Sequence, residues 1–132
     1  MNKTFELEIV TPINTITYED INYLRAPSAN GLFGVLCGHI ESVIALDIGE
    51  IKVTTDDKII RYSTSGGFAD IDKDKVLLVL ETVEPKEDID IKRAEESLEK
   101  YLKLLKDGTS NIEKAKKSIK KAKNRISISK KS

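Results

Sequence analysis

Tryptophan is absent from this chain of 132 residues, cysteine, histidine and methionine each occur once, and proline three times. The lone Cys37 excludes an internal disulfide framework and fits a reducing compartment. One cysteine and one histidine are too few for a zinc site. Cys37 and His39 stand two apart, but a nucleophile and base would also need an orienting third group and an oxyanion signal, and none is evident. The reading is two loop residues with packing or contact roles. The longest apolar run, Val76 to Leu80, is far too short to span a bilayer, and Met1 to Glu6 lacks the apolar core of a signal peptide. A soluble, cytoplasmic protein is expected, reaching a membrane only through a partner.

Charge of one sign is missing overall, since 22 Lys/Arg balance 22 Asp/Glu. The balance conceals a division. Residues 1–85 carry a net −7 and residues 86–132 a net +7. Such asymmetry points to an interaction role for the basic part, or to attraction between the two parts.

What is present begins as strands. Phe5, Leu7 and Ile9 alternate with Glu6 and Glu8, and Pro12 closes the segment. Thr15 to Tyr18 and Ile21 to Arg25 follow, the second ended by Ala26-Pro27. Ser28, Asn30, Gly31, Gly34 and Gly38 then read as a turn-rich loop. Val43 to Leu46, Ile51 to Thr54, Ile59 to Ser63, Phe68 to Ile71 and Lys75 to Val83 are further strands, with Asp47-Ile48-Gly49-Glu50 as a turn between the first two. Short strands with turn signals about every eight to twelve residues predict a β-sandwich or barrel.

After Pro85 the period changes. Ile91, Ala94, Leu98, Tyr101, Leu102 and Leu105 form one helical stripe within Asp90 to Lys106, and Ile112, Ala115, Ile119, Ala122 and Ile126 form another within Ser110 to Ile126. Gly108 suits the residue just past the first helix, and Ser110-Asn111-Ile112-Glu113 fits a capping box for the second. Two stripes joined by a tight turn predict an antiparallel hairpin with a narrow seam, marginal by itself. Ser127 to Ser132 are expected to fray. The fold class is therefore α+β, with a β-sandwich domain over residues 1–85 and a helical hairpin domain over 86–132.

Asp70, Asp72, Asp74 and Glu81 imitate calcium-loop spacing, but Lys75 stands where the loop glycine belongs and a strand follows. The glycines at 31, 34 and 38 lack a phosphate-loop pattern. The lysines of the second helix suit an acidic protein surface better than nucleic acid, because no aromatics accompany them. Arg93 and Arg125 offer guanidinium groups that suit phosphate oxygens.

In order and spacing, Gly31-Leu32-Phe33-Gly34-Val35-Leu36-Cys37-Gly38-His39, Ser65-Gly66-Gly67-Phe68, Val76 to Glu81, Ile89-Asp90-Ile91-Lys92-Arg93-Ala94 and Ala122-Lys123-Asn124-Arg125-Ile126 carry a family resemblance. The chain resembles the epsilon subunit of bacterial F-type ATP synthase along nearly its whole length. The resemblance implies a ten-stranded sandwich followed by two helices, in a non-catalytic subunit of the central stalk. It implies the gamma subunit, the c-subunit ring and the α/β catalytic hexamer as partners, at the cytoplasmic face of the cell membrane. It also implies helices that restrain ATP hydrolysis. No cofactor is required by it. A regulatory ATP is implied for some members, which carries over to Asp90, Arg93 and Ala94, with Lys121, Arg125 and Glu81. For Asp90 a helix N-cap is an equal reading. Contacts at the ring end are implied for Leu32, His39 and Glu41. The chain departs from the family pattern at Cys37, where proline is usual, at Leu32, where an acid is common, and at Lys121, which replaces an arginine. Two other readings are a free-standing nucleotide-sensing or protein-interaction module, and a small enzyme using Cys37 and His39.

Overall fold

In the computed structural model, which describes residues 3–131, the alternation at the N-terminus acts as the sequence predicts. Phe5, Leu7 and Ile9 are buried along β1 (Phe5–Val10), with half-buried neighbours between them. The strands that follow are β2 (Thr15–Ile21), β3 (Tyr23–Ser28), β4 (Gly31–Val35), β5 (Ser42–Leu46), β6 (Gly49–Thr54), β7 (Ile59–Thr64), β8 (Gly67–Ile71), β9 (Lys75–Leu80) and β10 (Val83–Pro85). They form one hydrogen-bonded sheet in the order β10-β7-β6-β3-β5-β8-β9-β1-β2, with β4 paired to β3. β1 runs parallel to β9, which the long excursion through β2 to β8 makes possible.

The sheet curls so that the two ends of this order meet. Tyr18 on β2 and Tyr62 on β7 share a hydrogen bond between their hydroxyls, and burial, with Tyr18 alongside, pushes the Tyr62 hydroxyl well above its ordinary pKa. Between the layers lies one apolar core, in which Leu7, Ile9, Ile21, Leu24, Ile51, Val53, Val76 and Leu78 are fully buried.

Four strand expectations change. The glycine-rich segment after Asn30 is a strand, not a loop, and pairs with β3 from Leu24↔Val35 to Ser28↔Gly31. Its glycines permit the pairing: a Cβ at Gly34 would collide with the Tyr23 ring, whose Cζ would lie 2.9 Å away. Ala26-Pro27 does not end β3, because the pairing continues past it. Gly49 and Glu50, expected in a turn, open β6, and Lys75 to Val83 is divided between β9 and β10.

A 3-10 turn over Lys86–Asp88 leads into α1 (Ile91–Asp107), which is followed by α2 (Ile112–Ser129). Gly108 ends α1 at φ +87°. The cap of α2 is Asn111, whose Oδ1 accepts the Lys114 N–H at 3.2 Å, so the expected Ser110 box does not form. α1 lies mainly on α2, and α2 lies on β6, β7 and the 3-10 turn. Ala94, Ala115, Ile119 and Ala122 of the expected stripes are buried, whereas Ile91, Leu102 and Ile112 are exposed. The C-terminal turn is not frayed through Lys131: Ile128 is 1% exposed there. Burying an isoleucine stabilises by about 1.5–3 kcal/mol, enough to hold a last turn against fraying. Ser132 lies outside the described residues.

Gly67 is the backbone position the upper layer cannot change. At φ +152° it pairs with Leu80, and a Cβ would fall onto the Val79 carbonyl oxygen, with Leu80 Cα only 2.9 Å away. Gly67→Ala is expected to lose about 2–4 kcal/mol, from strain plus displaced backbone. Gly38→Ala, at φ +79° with open space around it, should lose only about 1–2 kcal/mol. Urea unfolding of both variants checks this; equal losses would refute the steric account of Gly67.

Candidate functional site

The surface with most chemistry is where α2 meets the sheet. Strand register prepares it. Glu84 on β10 lies opposite Ser63 on β7, and Ser63 lies opposite Glu50 on β6, so three polar side chains line up across three strands. α2 answers along this row. Arg125 donates from Nε to Glu84 Oε1 at 2.9 Å and from Nη2 to Glu84 Oε2 at 3.0 Å, a bidentate pair. Asn124 Nδ2 donates to the Gly49 carbonyl at 2.9 Å and to Ser63 Oγ at 3.1 Å. Lys131 Nζ donates to Glu50 Oε1 at 2.9 Å, and beside the row Lys120 pairs with Asp47. Lys120, Asn124 and Ile128 recur at helical steps, which puts them on one face of α2, beside the seam of Ala115, Ile119 and Ala122, and Lys131 follows just past the end of the helix.

Glu50 is the buried carboxylate of the row, at 6% exposure, beside the buried Ser63. It accepts from Arg25 Nη2 at 2.7 Å and Arg61 Nη1 at 3.0 Å as well as from Lys131. Burial pushes its carboxyl up, but hydrogen bonds from Lys131 and Arg61, with Arg25 behind them, outweigh it and hold the group below its ordinary value. Asp47 is also held low, by the Lys120 hydrogen bond and then by the Ile48 N–H. Both carboxylates are thus charged at neutral pH where the basic helix reaches them. A buried carboxylate without such partners would cost several kcal/mol.

Next to the row lies a cavity of about 260 Å³, lined by Ser63, Thr64, Ser65, Thr82, Glu84, Lys121 and Arg125. Four hydroxyls and two cations line it together with the Glu84 carboxylate, which holds Arg125, so Lys121 and the remaining Arg125 donor are what it offers to anionic oxygens. The volume is at the low end for a small-molecule pocket, large enough for a phosphate-sized group. Of the expected ATP-site residues, the fold brings Lys121 and Arg125 to this cavity. Asp90 instead caps α1, its Oδ1 accepting the Arg93 N–H at 3.1 Å, and Arg93 itself is exposed beside buried Ala94. Glu81 is exposed and lines a separate apolar groove of about 470 Å³ with Val10, Pro12, Phe68, Val79 and Leu80. The acid that faces Arg125 is Glu84, three residues further on.

One row across the outward face of β5, β8, β9 and β1 is apolar, and the next row along it carries Asp70 and Glu8. Ala45, Phe68, Val79 and Val10 are registered neighbours across β5, β8, β9 and β1, and Val43 stands 72% exposed beside them. Of the expected ring contacts, Leu32 and Glu41 are exposed. His39 is half-buried, its ring edge-on to Phe5 at 5.8 Å and its Nδ1 bonded to the Leu36 carbonyl. Cys37 packs against the core, and among the described residues no group of three or more His, Cys, Asp or Glu could hold a metal ion.

Asp47, Glu50, Ser63, Glu84, Asn124 and Lys131 were not singled out by sequence as site residues. Asn124 offers one signal, a polar residue at a helix face between two lysine-bearing turns. Glu50 offers none, because its partner Lys131 lies 81 positions away.

No helix among the described residues is long and apolar enough to cross a membrane. A family model described as the ATP synthase delta/epsilon chain β-sandwich domain matches residues 4–86. The ATP synthase epsilon chain of Staphylococcus saprophyticus is 35% identical over 129 residues, covering 95% of this chain and 96% of that one. The epsilon chain of Nitratidesulfovibrio vulgaris strain DP4 is 43% identical over 94 residues, covering 71% of this chain and 70% of that one. Among solved structures, the cryo-EM structure of the Euglena gracilis mitochondrial ATP synthase, OSCP/F1/c-ring in rotational state 1, contains a chain that matches with a TM-score of 0.86. It is 21% identical and covers 92% of this chain and 79% of that one, a likeness of fold. The ten strands, the helical pair and full-length relatives of one kind agree, and the chain belongs to the ATP synthase epsilon chain family.

Proposed function

We propose that the chain serves as a non-catalytic subunit of the central stalk of an F-type ATP synthase, coupling the gamma subunit and the c-subunit ring to the catalytic hexamer and restraining ATP hydrolysis through its helices. The observation that carries this reading is the way α2 is held. Much of its attachment to the sheet is made of side-chain hydrogen bonds and ion pairs, which water can replace when the helix leaves. Ile91, Leu102, Leu104 and Ile112 remain exposed on the hairpin, an unfinished seam that a partner would complete. A docked and an undocked hairpin separated by a few kcal/mol would both be accessible.

The apolar band Ala45–Phe68–Val79–Val10 is the surface we assign to gamma, and Leu32, His39 and Glu41 the end we assign to the c ring. Exposed lysines of α2 suit acidic surfaces of the catalytic subunits, with salt-dependent strength. Membrane association comes through the complex, at the cytoplasmic face of the cell membrane, and no nucleic acid is involved. In the reconstituted complex, deleting Ser110 to Ser132 is expected to leave assembly with gamma intact and to raise ATP hydrolysis. Unchanged hydrolysis in a normally assembled complex would remove the restraining role.

A regulatory ATP belongs to the same proposal. Lys121 and Arg125, with the hydroxyls of Ser63, Thr64, Ser65 and Thr82, support a phosphate site at the junction of helix and sheet. Asp90, Arg93, Ala94 and Glu81, which the resemblance implies for the same ATP, do not line this cavity, so the proposed phosphate contacts are those of Lys121 and Arg125. A ligand there stabilises the docked form by RT ln(1 + [L]/Kd). Calorimetry on the isolated chain at millimolar ATP should give heat that Arg125→Ala abolishes. Absence of heat from the unmodified chain counts against ATP.

A further inference from the structure

We infer that the C-terminal end of α2, with the turn that closes it, is the catch that holds the hairpin on the sandwich, with Lys131 closing on a Glu50 carboxylate that Arg25 and Arg61 hold in place. This goes beyond the proposed function, because it concerns the docking equilibrium of the isolated chain and stands whether or not the chain restrains hydrolysis.

Four observations support the catch. First, the turn is built to a defined shape: the Lys130 and Lys131 N–H groups donate to the Ser127 carbonyl at 3.3 Å and the Ile128 carbonyl at 3.0 Å, and Ser129 Oγ donates to the Ile126 carbonyl at 2.7 Å. Second, Ile128 of the same turn is buried, so the ammonium of Lys131 is delivered by an anchored backbone and not by a loose tail. Third, a cation at the C-terminal end of a helix is favoured by the unpaired carbonyls there. Fourth, the acceptor tolerates release. When α2 leaves, Glu50 still has Arg25 at 2.7 Å and Arg61 at 3.0 Å, so opening strands no buried charge. Glu84 differs, since its ion pair is with Arg125 on the moving helix. The pair at Glu50 can therefore be made and broken without leaving the buried carboxylate unpaired. Lys131 is 38% exposed at its side chain and reachable by solvent, as a releasable contact requires.

The test is trypsin cleavage within α2, at Lys116 and Lys117, in the full chain at moderate ionic strength. Lys131→Ala is expected to speed cutting by about fivefold to tenfold, the scale of one charged hydrogen bond partly open to solvent. Lys130→Ala, one residue earlier and exposed, should leave the rate unchanged, and Lys131→Arg should restore it. In a Glu50→Gln background, whose folding is verified by an intact thermal transition of the sandwich, Lys131→Ala should add much less. Equal cutting of Lys131→Ala and Lys130→Ala, or full additivity of Glu50→Gln with Lys131→Ala, would overturn the catch.

Discussion

Register is the constraint on which the helical half depends. Because β10, β7 and β6 pair as they do, Glu84, Ser63 and Glu50 stand in one row, and the carbonyl of Gly49 lies beside it. α2 meets this row through Asn124 and Arg125 on adjacent helical positions and through Lys131 in the turn that closes the helix, which together fix where the helix lies. A slip of one residue in β7 would turn Ser63 to the other face and scatter the receivers. The sandwich thus acts as a template for where the helix lies. α1 inherits its position from α2, being packed mainly on that helix.

Most of the architecture was legible in the sequence. Alternation marked β1, and the change of period after Pro85 marked both helices, because each pattern is local and buries one face. Gly108 was read as punctuation and acts as such, and of the two readings of Asp90 the N-cap is formed. The misreadings share a cause. Gly31 to Val35 looked like loop because glycines usually are, yet Gly34 is required by the Tyr23 ring above it. Glu50 looked like turn because a charged residue next to Gly49 usually is, yet it is covered by a lysine from the far end of the chain. Ser127 to Lys131 looked frayed because the tail has no stripe of its own, yet Ile128 finds a place against the rest of the structure. Each depended on a long-range partner that no local window contains. The cavity was half legible: Lys121 and Arg125 belong to it, while its acid is Glu84 and not Glu81.

The arrangement makes functional sense in a rotary machine. A rigid sandwich with a single closed core can transmit force by packing alone, and its apolar outer band gives it somewhere to be gripped. A hairpin held through side-chain hydrogen bonds and charges can leave without unfolding what it leaves behind. The opposite charges of the two parts, −7 and +7, favour the contact between helix and sheet, where Lys120, Arg125 and Lys131 meet Asp47, Glu84 and Glu50.

The central claim is that α2 is the fastened helix and α1 its passenger. Amide hydrogen exchange on the full chain tests it most directly. The account predicts slower exchange over Lys120–Ile128 of α2 than over Leu98–Leu105 of α1. Slower exchange in α1 than in α2 would contradict it.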